Sequence, residues 1–537
     1  MRYVLEGGSL ALEVTVTVTP TADDGVLWGS SDEGVATVSA AGVVSGVSVG
    51  ETTITATSRY DATKKDDVVV RVTPEVGVSG STDGTYLTME NVAVGAPEES
   101  GSGSRSITLD LAWDESWRGP DRPSYVAADD NWDAVWLFVK YRVEGEPWRH
   151  ATLASAGHAA PDGAVFVVVA DGMGAFVYRG ATGYGDFRVD DLSLAWSFQA
   201  DGVTPEAVLE VRVFGIEMVY VPEGSFFLGS GGTGQGEFRA GGTVDEPFEV
   251  TAQVAIALGD EAGSLHWAEE EFTGIPSGAT NIDFPTGFTA FYAMKHEITQ
   301  GQYVAFLNTL TQTQADARHI SDGDQIAGDT VGAYTATLPH ISMGSLAWAD
   351  GSAYAAWSGL RPMTELEFEK AARGPATPVP DEYAWGSTGL VQATGLVFEG
   401  TVDEAPTPAS ANANYGFGIG RPVRVGSFAA PGRTRENAGA GYYGVLELSG
   451  NLWENVVTVG KVEGRAFTGE HGAGSLDASG AASVSGWPAS DAVGAGFRGG
   501  DIFDSETRLR VSDRVDVAQD KTIRDPHHGW RGVRTAP

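Results

Sequence analysis

Short runs of alternating apolar residues, each ended by glycine, proline or aspartate, fill the first 216 residues and restrict them to β structure. In residues 1–75 these runs are LEVTVTVTP, VATVSAAGVV, TTITATS and VVVRVTP. Because strand side chains alternate between two faces, this period predicts short strands with one face buried. The 72 glycines and the lack of any long apolar helical period favour β-rich, loop-rich structure throughout. A length of 537 residues predicts about two to four domains.

The chain is strongly acidic and contains no cysteine. Its formal charge of −38 is typical of a solvated extracellular or high-salt surface and argues against nucleic-acid or anionic-lipid partners. No apolar run reaches the ~18 residues of a membrane span, so membrane insertion is not expected. The absence of cysteine excludes disulfides, thiolate metal sites and thiol nucleophiles. The opening residues MRYVLEGGSLALEV lack a signal-peptide pattern, and whether sequence is missing upstream stays open.

The segment SSDEGVATVSAAGVVSGVSVGETTITA resembles the bacterial Ig-like group 2 domain, which we assign to residues 1–76. The resemblance implies a β-sandwich with Trp28 in its core. It also implies tight turns at Gly42, Gly46 and Gly50, where a positive φ favours glycine. Such domains are spacers or adhesive modules in surface proteins, which implies an extracellular or cell-surface location.

Residues 77–216 predict a second β-sandwich. Runs such as ITLDLAWDESW, DAVWLFVKYRV, AVFVVVADG and AVLEVRVFGIEM are strand-like and apolar on both faces, as in a sandwich core. Six tryptophans in this block could form either the aromatic core or a carbohydrate-binding platform, and the core interpretation is favoured: Trp113, Trp117, Trp132, Trp136, Trp148 and Trp196. No linker separates this block from the next, so we expect the two domains to pack together.

A series of motifs follows in fixed order from residue 217 to residue 537. They are EMVYVPEGSFFLGS, FYAMKHEITQGQYVAFLN, LAWADGSAYAAWSGLRPMTELEFEKAARG, YAWGS, ANANYG, GYYGVLELSGNLWEN, FRGG, LRVSDR and GWRGVR. Thr299 is a candidate helix N-cap, Thr364 with Glu367 a candidate capping box, and Gly374 a candidate helix terminator. The series resembles the formylglycine-generating-enzyme (sulfatase-modifying-factor) family. The resemblance implies an irregular α+β, C-type-lectin-like domain after the two all-β sandwiches.

The chemistry of that family does not follow from the resemblance. Its enzymes bind copper through two cysteines, and alignment on LRVSDR places those positions at Glu506 and Val511. Formylglycine-type catalysis is therefore excluded. We also expect no iron or copper site built from histidines, since no H-x-x-x-H pair occurs. His527 and His528 are adjacent, and on a strand they would point to opposite faces.

Calcium is the cofactor that the resemblance favours. In the family a structural Ca²⁺ is held by the loop matching SGNLWEN, which implies oxygen ligands from Asn451, Glu454 and the Leu452 carbonyl. The alternative is that Asn451 and Glu454 only tie the turn by hydrogen bonds. A second family site matches Asn412 and Asn414, but its later carboxylate partner is not identifiable here.

Two irregular stretches on the otherwise regular framework, residues 499–510 and 513–530, are the candidate ligand-binding loops. The candidate contact residues are Asp501, Ile502, Phe503, Asp504, Val515, Asp516, Gln519, Asp525, His527 and His528. This layout resembles the variable proteins of diversity-generating retroelements, whose varied codons derive from Asn codons mutated at adenines. An ordinary loop set of a non-enzymatic surface protein is the equal alternative.

Three functions remain open on the sequence alone. The favoured hypothesis is a non-enzymatic, exported ligand-binding or adhesion protein whose head binds a protein or glycan on another cell or particle. The second is a structural subunit of a surface layer, filament or phage appendage. The third is a metal-dependent oxidase of the sulfatase-modifying-factor superfamily. The identity of the ligand, the mode of anchoring and the oligomeric state stay open.

Overall fold

The computed structural model describes residues 1–17, 23–80, 86–98, 103–321, 325–519 and 522–537. Within those ranges, no helix combines the length and the hydrophobicity that crossing a bilayer requires. The chain is multidomain and mostly β: an Ig-like domain precedes a second sandwich and a C-type-lectin-like domain.

The Ig-like domain is a two-sheet sandwich. Its strands are β1 (Arg2–Leu5), β2 (Ser9–Ala11), β3 (Val26–Ser30), β4 (Ala36–Val38), β5 (Val43–Gly46), β6 (Gly50–Ser58) and β7 (Lys65–Thr73). The sheets have the orders β1-β7-β6-β3 and β2-β5-β4. Both contribute to one apolar core, against which the half-buried Trp28 packs as expected.

The turn prediction holds for one of the three glycines. Gly42 has a φ of 79°, and an added Cβ would lie 2.9 Å from the Trp28 ring. Both the backbone conformation and the close packing therefore require glycine here. Gly46 and Gly50 lie instead at the ends of β5 and β6 and do not adopt a positive φ. The expectation was wrong for these two because each is a paired strand residue: Gly46 pairs with Ala36 and Gly50 with Val72.

The second block contributes strands to two sheets. It comprises β8 (Gly77–Gly80), β9 (Thr88–Pro97), β10 (Arg105–Arg118), β11 (Asp133–Val143), β12 (Arg149–His150), β13 (Ala164–Val168), β14 (Ala175–Arg179), β15 (Gly183–Trp196) and β16 (Leu209–Val221). The first sheet, β15-β10-β9, packs against β11, β14 and β16 around one apolar core. Four of the six tryptophans are fully buried, which confirms the core interpretation for Trp113, Trp117, Trp136 and Trp196.

The second sheet joins this block to the C-terminal domain. It also includes β23 (Phe291–Met294), β26 (Arg361–Pro362) and β32 (Gly532–Thr535) of that domain. Its nine strands follow the order β13-β14-β11-β16-β23-β32-β26, with β12 on β11 and β8 on β16. Residues 209–219 of β16 pair with the whole of β11, and the last four residues of β16 pair with β23. The predicted boundary between residues 216 and 217 therefore falls inside a central strand. The two domains share a sheet, which is closer than the packing we expected.

The C-terminal domain surrounds this shared sheet with short elements. The helices are α1 (Gln300–Leu307), α2 (Gln312–Arg318), α3 (Trp348–Ser358), α4 (Glu365–Arg373), α5 (Val462–Arg465) and a 3-10 helix (Glu506–Leu509). The strands are β17 (Phe226–Leu228), β18 (Arg239–Ala240), β19 (Phe248–Val250), β20 (Ala257–Leu258), β21 (Leu265–His266), β22 (Gly278–Ala279), β23, β24 (Ile326–Ala327), β25 (Thr335–Ala336), β26 (Arg361–Pro362), β27 (Gly395–Val397), β28 (Ala405–Thr407), β29 (Trp453–Val457), β30 (Ala495–Arg498), β31 (His528–Gly529) and β32 (Gly532–Thr535).

The predicted helix ends are confirmed. Thr299 caps α1 by accepting from the Gln302 backbone N–H, and the Gln302 side chain completes a capping box. Thr364 and Glu367 form the capping box of α4, and Gly374 with a φ of 67° ends that helix. These caps are local contacts, which explains why the sequence predicted them.

Candidate functional site

A buried ion network fixes the framework below the C-terminal loops. We call it the α4 network: Glu365, Glu369, Arg373, Glu382, Arg498 and Arg514, all at most 2% exposed. The Arg498 guanidinium donates to Glu365 at 3.0 Å and to Glu369 at 2.6 Å, and Arg514 holds Glu365 at 2.8 and 3.1 Å. Three carboxylates therefore face three guanidiniums without net charge. Arg498 directly precedes the first candidate loop and Arg514 lies near the start of the second, so the network anchors the framework on both sides of the first loop to α4.

The first candidate loop turns sharply at Gly499 and Gly500, with φ of 93° and 71°. The Asp501 Oδ1 atom then accepts the backbone N–H groups of Phe503 at 2.6 Å and Asp504 at 3.0 Å. Asp501 and Ile502 are 2% and 1% exposed, so the expectation that they form the contact surface is corrected. Asp501 shapes the loop from within, and Ile502 packs into the domain.

The second candidate loop divides into two parts with different surroundings. In the first part, Asp516 lies 3.5 Å from Arg508, the Val515 backbone N–H is held by Asp513, and Gln519 donates its backbone N–H to Asp516. Residues 520–521, between the two parts, lie outside the described ranges. Val515, Asp516 and Gln519 are half-buried and contact partners other than those of the second part.

The second part of this loop meets the first loop. The His527 Nε2 atom lies 3.0 Å from the Asp525 carboxylate, and its Nδ1 atom lies 3.4 Å from Asp501. The His527 and His528 rings are 5.0 Å apart, which corrects the expectation that the two point to opposite faces. His527 precedes β31 and lies in a turn, so strand alternation does not apply to it. His528 is fully buried and stacks on Phe497 at 4.4 Å, so it does not belong to the contact surface either.

An exposed aromatic residue that the sequence analysis missed extends this cluster. Phe417 is 70% exposed, and its φ of 63° is unusual for a residue other than glycine. Its ring lies 4.8 Å from Phe503, whose ring in turn meets His527 at 5.4 Å. The Phe417 backbone N–H donates to the Ile502 carbonyl at 2.8 Å, which fixes its position against the first loop. Its place between two glycines was the available sequence signal.

The predicted calcium loop carries its own protein partners. The Asn451 Oδ1 atom accepts from Asn414 at 3.2 Å and from the Val423 backbone N–H at 3.1 Å. Glu454 pairs with the Arg531 guanidinium at 2.8 Å. The Leu452 backbone N–H donates to Glu297, so this buried loop is held by a carboxylate from before α1. A guanidinium on Glu454 and two donors on Asn451 fit the hydrogen-bonding alternative better than Ca²⁺, and calcium at this loop stays a prediction.

The side chains at the second predicted calcium position also have hydrogen-bond partners in the protein. Asn412 accepts the Val391 backbone N–H at 2.8 Å and donates to the Gly389 carbonyl at 3.0 Å. Asn414 donates to the Arg421 carbonyl at 2.9 Å. Both side chains act as turn-stabilising amides in this arrangement.

The positions aligned with the copper cysteines differ in environment. Glu506 is exposed on the 3-10 helix, whereas Val511 is fully buried and donates its backbone N–H to the Glu382 carbonyl at 3.0 Å. Neither residue type supplies a thiolate, and the 537 residues contain no cysteine. The thiol chemistry of the family is thus absent from this chain.

Comparison with known proteins gives partial matches to curated relatives. A 66-residue segment is 50% identical to a 3-O-alpha-D-galactosyl-alpha-L-arabinofuranosidase of Bifidobacterium longum subsp. longum, covering 12% of this chain and 6% of the relative. A 106-residue segment is 33% identical to a hercynine oxygenase of Mycolicibacterium smegmatis, covering 20% of this chain and 19% of the relative. The chain thus spans less than a fifth of either relative.

Among solved structures, Treponema denticola variable protein 1 matches 60% of this chain and 96% of its own length, with 14% identity and a TM-score of 0.31. The model of the bacterial Ig-like domain (group 2) matches residues 2–74. The model of the sulfatase-modifying factor enzyme 1-like domain matches residues 215–536, more than half of the chain. The chain therefore belongs to the sulfatase-modifying factor enzyme 1-like family, as a member without cysteine that carries an N-terminal Ig-like domain.

Proposed function

We propose that this chain is an exported binding protein in which two β-sandwiches present a head whose C-terminal loops contact a protein or glycan ligand. The observation that carries the proposal is Phe417. A non-glycine residue in the left-handed region costs about 1–3 kcal/mol, and an exposed phenylalanine ring contributes little to burial. Phe398 shares both properties, and what distinguishes Phe417 is that its ring lies 4.8 Å from Phe503 in the first candidate loop, which favours a contact with a partner at this position.

The surroundings of Phe417 support a contact surface. Phe503 and His527 continue the aromatic row, and Asp504 and Asp525 place half-buried carboxylates beside it. Aromatic rings with polar groups close by are typical of binding sites for proteins and for sugars. The α4 network holds the loop framework rigid, which lowers the entropy that binding must overcome.

The amino-acid composition favours binding over thiol catalysis and restricts the chemical classes of partner. The cysteine pair of the family is replaced by Glu506 and Val511. A net charge of −38 disfavours polyanionic partners such as nucleic acid. Neutral glycans and neutral or basic protein surfaces remain, and the Ig-like domain is consistent with a cell-surface location.

The test is a screen of glycan arrays and bacterial surface proteins with the full chain, followed by titration of each ligand found. Phe417→Ala is expected to weaken binding by about tenfold or more, because an aromatic anchor at an interface contributes at least ~1–2 kcal/mol. Phe398→Ala is the matched control, since Phe398 is 69% exposed and also has a left-handed φ of 52°. A ligand that binds equally well after Phe417→Ala and Phe503→Ala would contradict the proposed surface.

The retroelement form of the proposal has its own test. If these loops are diversified, the exposed or half-buried residues Phe503, Asp504, Asp525, Pro526 and His527 are the positions where variation changes contacts. A template repeat near the gene, differing from the codons for residues 499–530 only at adenines, is the expected finding. The absence of any such repeat would leave an invariant binding loop.

A further inference from the structure

The turn that leads into β31 gathers two imidazoles and one carboxylate. Each of Asp525, His527 and His528 offers a ligand atom, and these atoms all lie within 4.8 Å of one another. His527 Nε2 and Asp525 Oδ1 lie 3.0 Å apart. We call these three residues the Asp-His-His turn. Among the described residues, this is the one group of three or more such side chains that converges in this way.

We infer that the Asp-His-His turn is a binding site for a divalent transition-metal ion of the Zn²⁺ class. Two neutral imidazoles and a carboxylate form a borderline donor set that suits Zn²⁺ and Co²⁺ better than the hard ion Ca²⁺. Tetrahedral zinc, with bonds of about 2.0–2.1 Å, places its ligand atoms about 3.3 Å apart. The side chains of Asp525 and His527 are half-exposed, so they can close the remaining distance by rotating.

The backbone of the turn is already fixed. The carbonyls of Asp525, His527 and His528 accept hydrogen bonds from the backbone N–H groups of other segments: Ser345 at 3.1 Å, Trp453 at 2.9 Å and Leu346 at 3.0 Å, respectively. The His528 N–H closes the turn on the Asp525 carbonyl at 2.9 Å. Gly344 packs so closely that an added Cβ would lie 2.2 Å from the Pro526 carbonyl. A rigid backbone lowers the entropy lost when side chains close on an ion.

Asp501 is placed as a positioning residue for the site. Its Oδ1 atom is used by the N–H groups of Phe503 and Asp504, which directs Oδ2 towards His527 Nδ1, 3.4 Å away. A carboxylate that faces Nδ1 favours the tautomer protonated there, and the Nε2 lone pair of that tautomer can bind a metal. That Nε2 atom is the one beside Asp525. His528 is oriented separately, by its stacking on Phe497.

A simple ion pair accounts for only part of this arrangement. A protonated His527 between Asp501 and Asp525 explains two contacts but gives no reason for a second imidazole 5.0 Å away. A metal ion uses all three donors. Three protein ligands also leave one coordination position for water or an incoming donor. This inference does not depend on the identity of the ligand proposed above, since metal binding is measured without it.

The test is titration of the full chain with Zn²⁺ by calorimetry and with Co²⁺ by visible absorption. The protein is first stripped with a chelator and then kept in excess Ca²⁺, which occupies hard-oxygen sites. We expect one Zn²⁺ per chain and a Co²⁺ spectrum typical of nitrogen and oxygen ligands. His527→Gln and Asp525→Asn are each expected to weaken binding by about tenfold or more.

The control variant is His266→Gln. His266 also faces an aspartate, Asp260 at 3.7 Å, but does not belong to the converging group. Both His527 and Asp525 are half-exposed, so their variants are expected to keep the melting temperature of the parent and remain interpretable. The inference is overturned if the folded parent binds no stoichiometric Zn²⁺. It is equally overturned if His527→Gln and Asp525→Asn bind Zn²⁺ as the parent and His266→Gln do.

Discussion

Replacing Arg498 with methionine tests whether the α4 network holds the C-terminal framework. The Arg498 guanidinium is fully buried and donates to Glu365, to Glu369 and to the Val511 carbonyl. Methionine fills much of the same volume, so the change removes charge and hydrogen bonds and leaves only a small cavity. Three carboxylates then face two guanidiniums inside the domain.

The expected cost follows from the buried charge that remains. Removing one partner of a buried ion pair costs about 3–5 kcal/mol, since the other stays desolvated without its counter-charge. Glu365 keeps Arg514, and Glu369 keeps Arg373 at 2.9 Å and the Gly229 N–H at 2.8 Å. These remaining partners place the expectation near the lower end, at about 3 kcal/mol.

The pH dependence has a defined sign. Burial raises the pKa of Glu365, but Arg514 and Arg498 outweigh it and lower that pKa below the usual value. Its stabilising contribution is thus present above about pH 4.3, the unfolded value, and is lost as pH falls through the folded pKa. Arg498→Met reduces this contribution. The difference from the parent is therefore largest near neutral pH and narrows below about pH 4.

Urea unfolding followed by tryptophan fluorescence measures the effect. Arg188→Met is the surface control, because Arg188 pairs with three carboxylates but its side chain is 47% exposed, and little change is expected. Adding Glu369→Gln to Arg498→Met restores the charge balance and is expected to recover about 1 kcal/mol. An unfolding midpoint for Arg498→Met equal to that of Arg188→Met would refute the assigned role of the network.

Three further predictions use simpler assays. If Asn451 and Glu454 only tie the turn, exchanging excess Ca²⁺ for a chelator leaves the melting temperature unchanged, because Arg531 already pairs with Glu454; a Ca²⁺-dependent rise that Glu454→Gln abolishes would support the calcium prediction instead. Gly351→Ala is expected to cost about 1–3 kcal/mol in thermal unfolding, since its Cβ would lie 2.0 Å from the Trp530 ring; an unchanged stability would mean that the ring can move. Burial raises the pKa of Asp133 to about 6, above the unfolded value of about 3.9, so its contribution to stability is present below about pH 4 and declines as pH rises through 6. Asp133→Asn should remove that component of the melting-temperature profile, and an identical slope in both proteins would show that another group is responsible.

Local sequence signals predicted the elements that depend on neighbouring residues. Alternating runs predicted the strands of both sandwiches, and the capping residues Thr299 and Thr364 predicted where α1 and α4 begin. These features were predictable because the interacting atoms lie within a few residues of one another. The shared sheet was not predictable in this way. Strand β32, near the C-terminus, pairs with β23 and β26, which lie more than 150 residues earlier in the chain.

In the candidate site, too, local sequence did not predict contacts between distant segments. The loops were found because irregular sequence interrupts a regular framework, but their periodicity could not say which residues face solvent. Asp501, Ile502 and His528 are buried, and their partners lie partly in other segments: Ile502 donates its backbone N–H to the Asn451 carbonyl, His528 stacks on Phe497, and Asp501 faces His527. Strand alternation also misled the expectation for the two histidines, because the turn ends between them.

The strand that crosses the predicted boundary makes the head dependent on the second sandwich. Trp136 donates to the Ser358 carbonyl at 2.9 Å, and the buried Lys140 donates to the Trp357 and Gly474 carbonyls at 2.7 Å. Aromatic residues on β11 and β16 belong to the same core as α1 and α3. A fragment of residues 217–537 loses these groups and residues 209–216 of β16. Loss of a tryptophan such as Trp136 alone costs about 3–5 kcal/mol.

We therefore expect the fragment 217–537 to aggregate or to lack a cooperative melting transition. The fragment 77–537 keeps the shared sheet and is expected to melt cooperatively within a few degrees of the full chain. Calorimetry and size-exclusion chromatography distinguish the two outcomes. A monomeric 217–537 fragment with a sharp transition would show that the C-terminal domain folds alone. The shared sheet would then be a docking contact between two independent domains, and the orientation of the binding loops would no longer be fixed by the sandwich below them.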